Sequence, residues 1–192
     1  MDSPYIAVLF PGVGYNTHKP LLYYSAKLMQ SYGYDLCYLN YENMPKRVGS
    51  DKELMRQAVE AGYESVENTL SGINFGGYER VVFIGKSIGT IIAARYASEH
   101  SIDAVQIWYT PLIETFSYSD TVDSKKSVAF IGDKDQWSDV NMVKAAAKEK
   151  GIKLYSYPDC NHSLENSDVF GNMNKLNDVM KRTDEFIKGI KW

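Results

Sequence analysis

The chain has 192 residues, 44% of them hydrophobic and 23% charged, and a formal net charge of −3 with no basic cluster. That balance suits one soluble globular domain spanning residues 1–192 and argues against a nucleic-acid partner. Its two cysteines, Cys37 and Cys160, lack metal-ligand spacing and are too few to staple a domain this large. No apolar run approaches membrane-spanning length and Met1-Asp2-Ser3-Pro4 carries no basic leader, so a cytoplasmic location with no membrane partner is expected.

Apolar runs and helical patterns alternate along the chain. Tyr5 to Phe10 reads as a buried strand ended by Pro11-Gly12, and Leu21 to Tyr32 has helical periodicity that stops at Gly33. Asp35 to Tyr41 reads as strand. Asp51 is placed to cap a long amphipathic helix reaching about Ser71. Arg80 to Ile84 is a strand and Ile88 to His100 a helix. Ala104 to Tyr109, Ser127 to Ile131 and Lys153 to Tyr157 supply three more strands, with a helix from Asp139 to Lys150 between the last two. A final helix is expected from about Asn172 to Lys188. Six short strands separated by helices imply a three-layer αβα sandwich around a mostly parallel six-stranded sheet. Function in such sheets collects beyond the carboxyl ends of the strands.

At one strand end lies Gly85-Lys86-Ser87-Ile88-Gly89. It has the Gly-x-Ser-x-Gly form of a nucleophile elbow, in which a serine sits on a sharp turn between strand and helix. The glycines two positions to either side allow the backbones to approach closely. Gly-Lys-Ser could instead end a phosphate-binding loop, but that pattern requires glycine at position 80, where the chain has Arg80. The nucleotide reading fails on spacing.

An elbow serine of this type is followed in the chain by an acid and then a histidine. Gly132-Asp133-Lys134-Asp135 follows the fifth strand and Cys160-Asn161-His162-Ser163 follows the sixth. Ser87 and His162 are thereby the expected nucleophile and base, with Asp133 and Asp135 both available as the acid. Taken with Phe10-Pro11-Gly12-Val13-Gly14 and Asn161-His162-Ser163-Leu164-Glu165, these motifs resemble the α/β-hydrolase superfamily, particularly its small dienelactone-hydrolase-like members. The resemblance covers almost the full length.

The resemblance implies a Ser87–His162–Asp135 triad, since the family's Gly-x-x-Asp spacing favours Asp135, and the other aspartate would form the turn. It implies backbone oxyanion donors at Ile88 and Val13, with Pro11 standing where a histidine is common. It also implies no cap domain, because only Thr110 to Lys126 lies where one would be inserted, and so a shallow, open site that requires no metal or organic cofactor. Tyr15, Tyr109 and Trp137 fall just past strand ends and could wall a pocket, with Leu112, Ile113 and Phe116 as an apolar rim. Lys86 is read as reaching solvent, His18 and His100 as solvated or helix-terminal, and Cys160 as a bystander. The expected activity is hydrolysis of small-molecule carboxylic esters or thioesters of small to medium acyl groups. The alternative is a hydrolase-fold protein that binds a ligand or protein partner without chemistry.

Overall fold

A computed structural model describes residues 3–45, 48, 51–119 and 122–192. Its centre is a six-stranded sheet of order β2-β1-β3-β4-β5-β6 in which every neighbouring pair is parallel. The strands are β1 (Tyr5–Phe10), β2 (Asp35–Tyr38), β3 (Arg80–Lys86), β4 (Val105–Tyr109), β5 (Ser127–Gly132) and β6 (Lys153–Tyr157). β4 and β5 are buried throughout, and β1 and β3 in all but their first residue. That is why they read as continuous apolar runs and not as alternating ones.

Strand alternation sorts the core into two faces. Ala7 and Leu9 of β1, with Val82 and Ile84 of β3, pack under helices α1 (Pro20–Ser31) and α5 (Val169–Gly189). Ile6, Val8 and Phe10, with Val81 and Phe83, face α2 (Lys52–Leu70) and α3 (Ile88–Glu99). Farther along that second face, Trp108, Ala129 and Ile131 meet Val143 and Ala147 of α4 (Val140–Glu149). The Asp51 carboxylate caps α2 as expected, accepting from the amides of Glu53 at 2.9 Å and Leu54 at 3.0 Å.

Several boundaries differ from the sequence reading, and β3 among them runs on past Ile84 to Lys86. β2 ends at Tyr38, because its partner β1 ends at Phe10 and the ladder closes at the Leu9–Tyr38 pair. The last helix begins three residues earlier than expected, at Val169, where Asp168 accepts from the Gly171 amide at 3.0 Å. The segment between β4 and β5 holds two 3-10 helices, Ile113–Tyr118 and Ser124–Lys126, where a cap domain could have stood. The expectation for residues 110–126 falls partly outside the described residues, at positions 120 and 121.

From β1 the chain crosses to β2 on one side and then to β3 on the other. The carboxyl ends of β1 and β3 therefore form the switch point of the sheet, where a crevice opens between diverging connections.

Candidate active site

Ser87 sits at that switch point with φ 55° and ψ −123°, a conformation that L-residues adopt at sharp turns under strain. Its amide donates to Tyr109 O at 3.0 Å, so the turn is fastened to the neighbouring strand end. The flanking glycines are required by close approach. A Cβ on Gly89 would lie 2.2 Å from Phe10 O, and one on Gly85 would lie 2.7 Å from the Cα of Thr90. A side chain at Gly89 would push α3 away from β1, and one at Gly85 would push it away from β3; either opens the elbow.

His162 arrives from the loop after β6. The Asn161 side chain accepts from the amides of Ser163 (2.7 Å) and Glu165 (3.2 Å), while the Asn161 amide donates to Glu165 O at 2.8 Å. This closed turn fixes the backbone that presents the imidazole. His162 Nδ1 donates to Asp135 Oδ2 at 2.7 Å. The other oxygen of Asp135 accepts from the amides of Trp137 (2.9 Å) and Ser138 (3.2 Å), and the carboxylate side chain is completely buried. Three donors thus converge on one carboxylate. With Nδ1 bearing the shared proton, Nε2 is left as an acceptor.

Asp133 takes the other place. Its carboxylate accepts from the Asp159 amide at 2.6 Å, tying the loops after β5 and β6 together. The structure therefore brings Asp135, and not Asp133, to the imidazole.

Ser87, Ile88, His162, Val13, Tyr15 and Trp137 line one cavity of about 300 Å³. No hydrogen bond joins Ser87 Oγ to His162 among the described residues; catalytic hydrogen bonds commonly tighten only when substrate binds. Ile88 opens α3, so its amide has no intrahelical acceptor. Gly12 and Tyr15 exchange backbone hydrogen bonds at 3.0 and 3.2 Å, which leaves Val13 at the tip of a tight turn beside the elbow.

A second, larger groove of about 530 Å³ adjoins this cavity and shares Met55, Gln136 and Trp137 with it. Val59, Ile91, Leu112 and Tyr118 supply its apolar walls. Leu112 accordingly lies one step away from the serine, and Trp137, 45% exposed, stands where the two spaces meet.

Three expectations need correction. Tyr109 lies away from the cavity: it is wholly buried, and its hydroxyl bonds Ser25 Oγ at 2.8 Å and Thr183 Oγ1 at 2.9 Å between α1 and α5. Phe116 is not on a rim but packs edge-on against Trp108, with ring centroids 5.5 Å apart. Lys86 does not reach solvent. Strand alternation puts it on the same face as Ile84, and it is 1% exposed with its ammonium 4.9 Å from the centre of the Tyr15 ring. That alternation was the available sequence signal. Met55 carried none, since it arrives from a helix whose apolar positions read equally well as core.

Electrostatics follow from burial. Burial pulls the Lys86 ammonium down to about 7, against the opposing attraction of Asp135. Burial also lowers His162 below the usual histidine value; the Asp135 hydrogen bond opposes this and the Lys86 charge adds to it. No group of three or more His, Cys, Asp or Glu side chains among the described residues could hold a metal ion. No described helix is long and apolar enough to cross a membrane.

The alpha/beta hydrolase domain family matches residues 5–188 of this sequence. The chain belongs to the alpha/beta hydrolase family. Solved structures similar to this hydrolase share its fold at low sequence identity. A candidate hydrolase of the alpha/beta superfamily from Xanthomonas campestris superposes with a TM-score of 0.68 at 13% identity, over 96% of this chain and 98% of that one. An esterase from Pyrococcus furiosus gives 0.61 at 16%, over 97% and 82%. An alpha-beta serine hydrolase homologue from Coxiella burnetii gives 0.59 at 15%, over 95% and 86%. No curated protein matches the hydrolase.

Proposed function

We propose that the protein is a serine hydrolase of carboxylic esters or thioesters with small to medium acyl groups. The observation that carries this reading is the convergence of three groups from three loops. A serine on a strained strand-to-helix turn shares one cavity with an imidazole whose far nitrogen is bonded to a fully buried carboxylate.

A serine hydroxyl is a weak nucleophile, so its proton must leave as the new bond forms. Ser87 Oγ attacks the acyl carbon while His162 Nε2 takes the hydroxyl proton. Asp135 holds the imidazole in the tautomer that exposes Nε2 and stabilises the imidazolium. The tetrahedral oxyanion is met by the amides of Ile88, at the positive end of α3, and Val13. Each such donor is worth roughly 10²–10³ in rate. His162 then returns the proton to the leaving oxygen or sulfur. Water, activated by the same imidazole, releases the acid from Ser87. The structurally similar protein from Pyrococcus furiosus is an esterase, in agreement with this chemistry.

The adjoining apolar groove gives an acyl chain somewhere to lie beyond the reacting carbonyl. The test is a series of 4-nitrophenyl esters and acyl thioesters from two to ten carbons, assayed with the wild-type protein and Ser87→Ala. Turnover that peaks below ten carbons and vanishes in the variant is expected. Turnover retained by folded Ser87→Ala overturns the assignment of the nucleophile.

A further inference from the structure

Among the described residues Lys86 is the one fully buried cation at this site, and the triad chemistry does not use it. A buried lysine is ordinarily paired or discharged, because taking an ammonium out of water is costly. No carboxylate forms an ion pair with Lys86 among the described residues. What surrounds it is the ring of Tyr15, from the loop after β1, and the more distant charge of Asp135, from the loop after β5. The Tyr15 hydroxyl accepts from the Leu21 amide at 3.0 Å, which locks the ring under the ammonium. Glu165, from the loop after β6, acts on Tyr15, while Asp135 and Lys86 are the charges that act on His162.

Lys86 and His162 line the same cavity of about 300 Å³, and the imidazole is bonded through Nδ1 to the Asp135 carboxylate, so one anion and one cation share the neighbourhood of this ring. Asp135 alone would raise the basicity of His162 and draw a proton onto Nε2 in mildly acidic solution, closing the acceptor. A cation nearby opposes that proton.

Resting on the serine-hydrolase reading above, we propose that Lys86 is a positioning residue that keeps His162 unprotonated at Nε2 until Ser87 surrenders its hydroxyl proton. The choice of lysine also limits how far this effect extends. The ammonium carries charge below about pH 7, the range in which the imidazole titrates, and loses it above, where no opposing charge is needed. The proton removed from Ser87 still goes to His162, and Lys86 exchanges none with substrate.

The sign of the effect is fixed. Removing a positive charge from the neighbourhood of an imidazole makes it more basic, so the acid limb of the kcat/KM profile moves to higher pH. The experiment compares wild type, Lys86→Met, Lys86→Gln and Lys86→Arg from pH 4.5 to 9. It follows both ester hydrolysis and the rate of fluorophosphonate labelling at Ser87. The Met and Gln variants should shift the acid limb upward by about one pH unit. Arginine, which restores a permanent cation, should return it toward the wild-type position. Gln keeps a polar group in the same space, so the inference stays testable if Met does not fold. An acid limb within about 0.2 unit of wild type in a folded, Ser87-labelled Met or Gln variant overturns the role of Lys86. Absence of Ser87 labelling in the wild type overturns the underlying hydrolase reading instead, so the two failures are distinct.

Discussion

Replacing Lys86 by methionine should stabilise the protein, and the gain should shrink as pH rises. The side chain is 1% exposed and its ammonium is pulled down to about 7 from the ordinary lysine value of 10.5. At roughly 1.4 kcal/mol per pH unit, the difference corresponds to about 5 kcal/mol of strain on the charged form. Below pH 7 both folded and unfolded chains carry the proton, and the whole penalty is present. Between pH 7 and about 10.5 the unfolded chain binds more protons than the folded one, so wild-type stability rises with pH as the penalty is relieved.

Methionine fills a similar length without charge. It forfeits the contact with the Tyr15 ring and the attraction of Asp135, so the net gain at pH 6 should be about 1–4 kcal/mol. For a chain of this size each kcal/mol moves Tm by about 2–4 °C. Urea unfolding of both proteins at pH 6, 7.5 and 9 measures the gap directly. A gap that stays constant or widens with pH, or a wild type more stable than the variant at pH 6, would refute the burial argument.

Other perturbations separate the residues of the site. Asp135→Asn should lower kcat by about 10³–10⁴ with the fold retained, because the amide cannot hold His162 in the productive tautomer. Asp133→Asn should instead leave kcat within a few-fold and cost about 1 kcal/mol of stability through its contact with the Asp159 amide, as read by steady-state kinetics and thermal melting. Gly132→Ala would place a Cβ 2.2 Å from Cys160 O, so the histidine loop must lift. A loss of kcat of at least about tenfold is expected, with destabilisation of about 1–3 kcal/mol. Val59→Trp fills the adjoining groove from α2, and the ratio of eight-carbon to two-carbon ester turnover should fall about tenfold.

The elements legible in the sequence were those with an unambiguous physical signature. Val81–Ile84 could be little other than a buried strand. The Gly85 and Gly89 spacing announced a backbone crowding that the Cβ distances bear out. Asp51 announced a helix start because a carboxylate before an amphipathic run has unpaired amides to bind.

What stayed hidden depends on where a side chain goes after its backbone is placed. Tyr109 ends β4 and Trp137 stands in the loop after β5, yet one turns inward to Ser25 and Thr183 and the other stands at the cavity mouth. Alternation with Val105 and Ile107 puts Tyr109 on a buried face, whereas the loop that carries Trp137 has no such pattern. A lone lysine is usually solvated, but alternation with Val82 and Ile84 carries Lys86 onto a buried face. Asp133 and Asp135 are separated by the turn itself, which aims only the second carboxylate at His162.

The most direct test of the account is reaction of the purified protein with a fluorophosphonate, followed by mass mapping of the modified peptide beside a Ser87→Ala control. The account predicts a single adduct on Ser87, formed faster as pH rises through the His162 titration and absent from the variant. A well-folded wild-type protein that forms no Ser87 adduct between pH 6 and 9 would contradict it, because Ser87 would then be an unactivated residue of the turn.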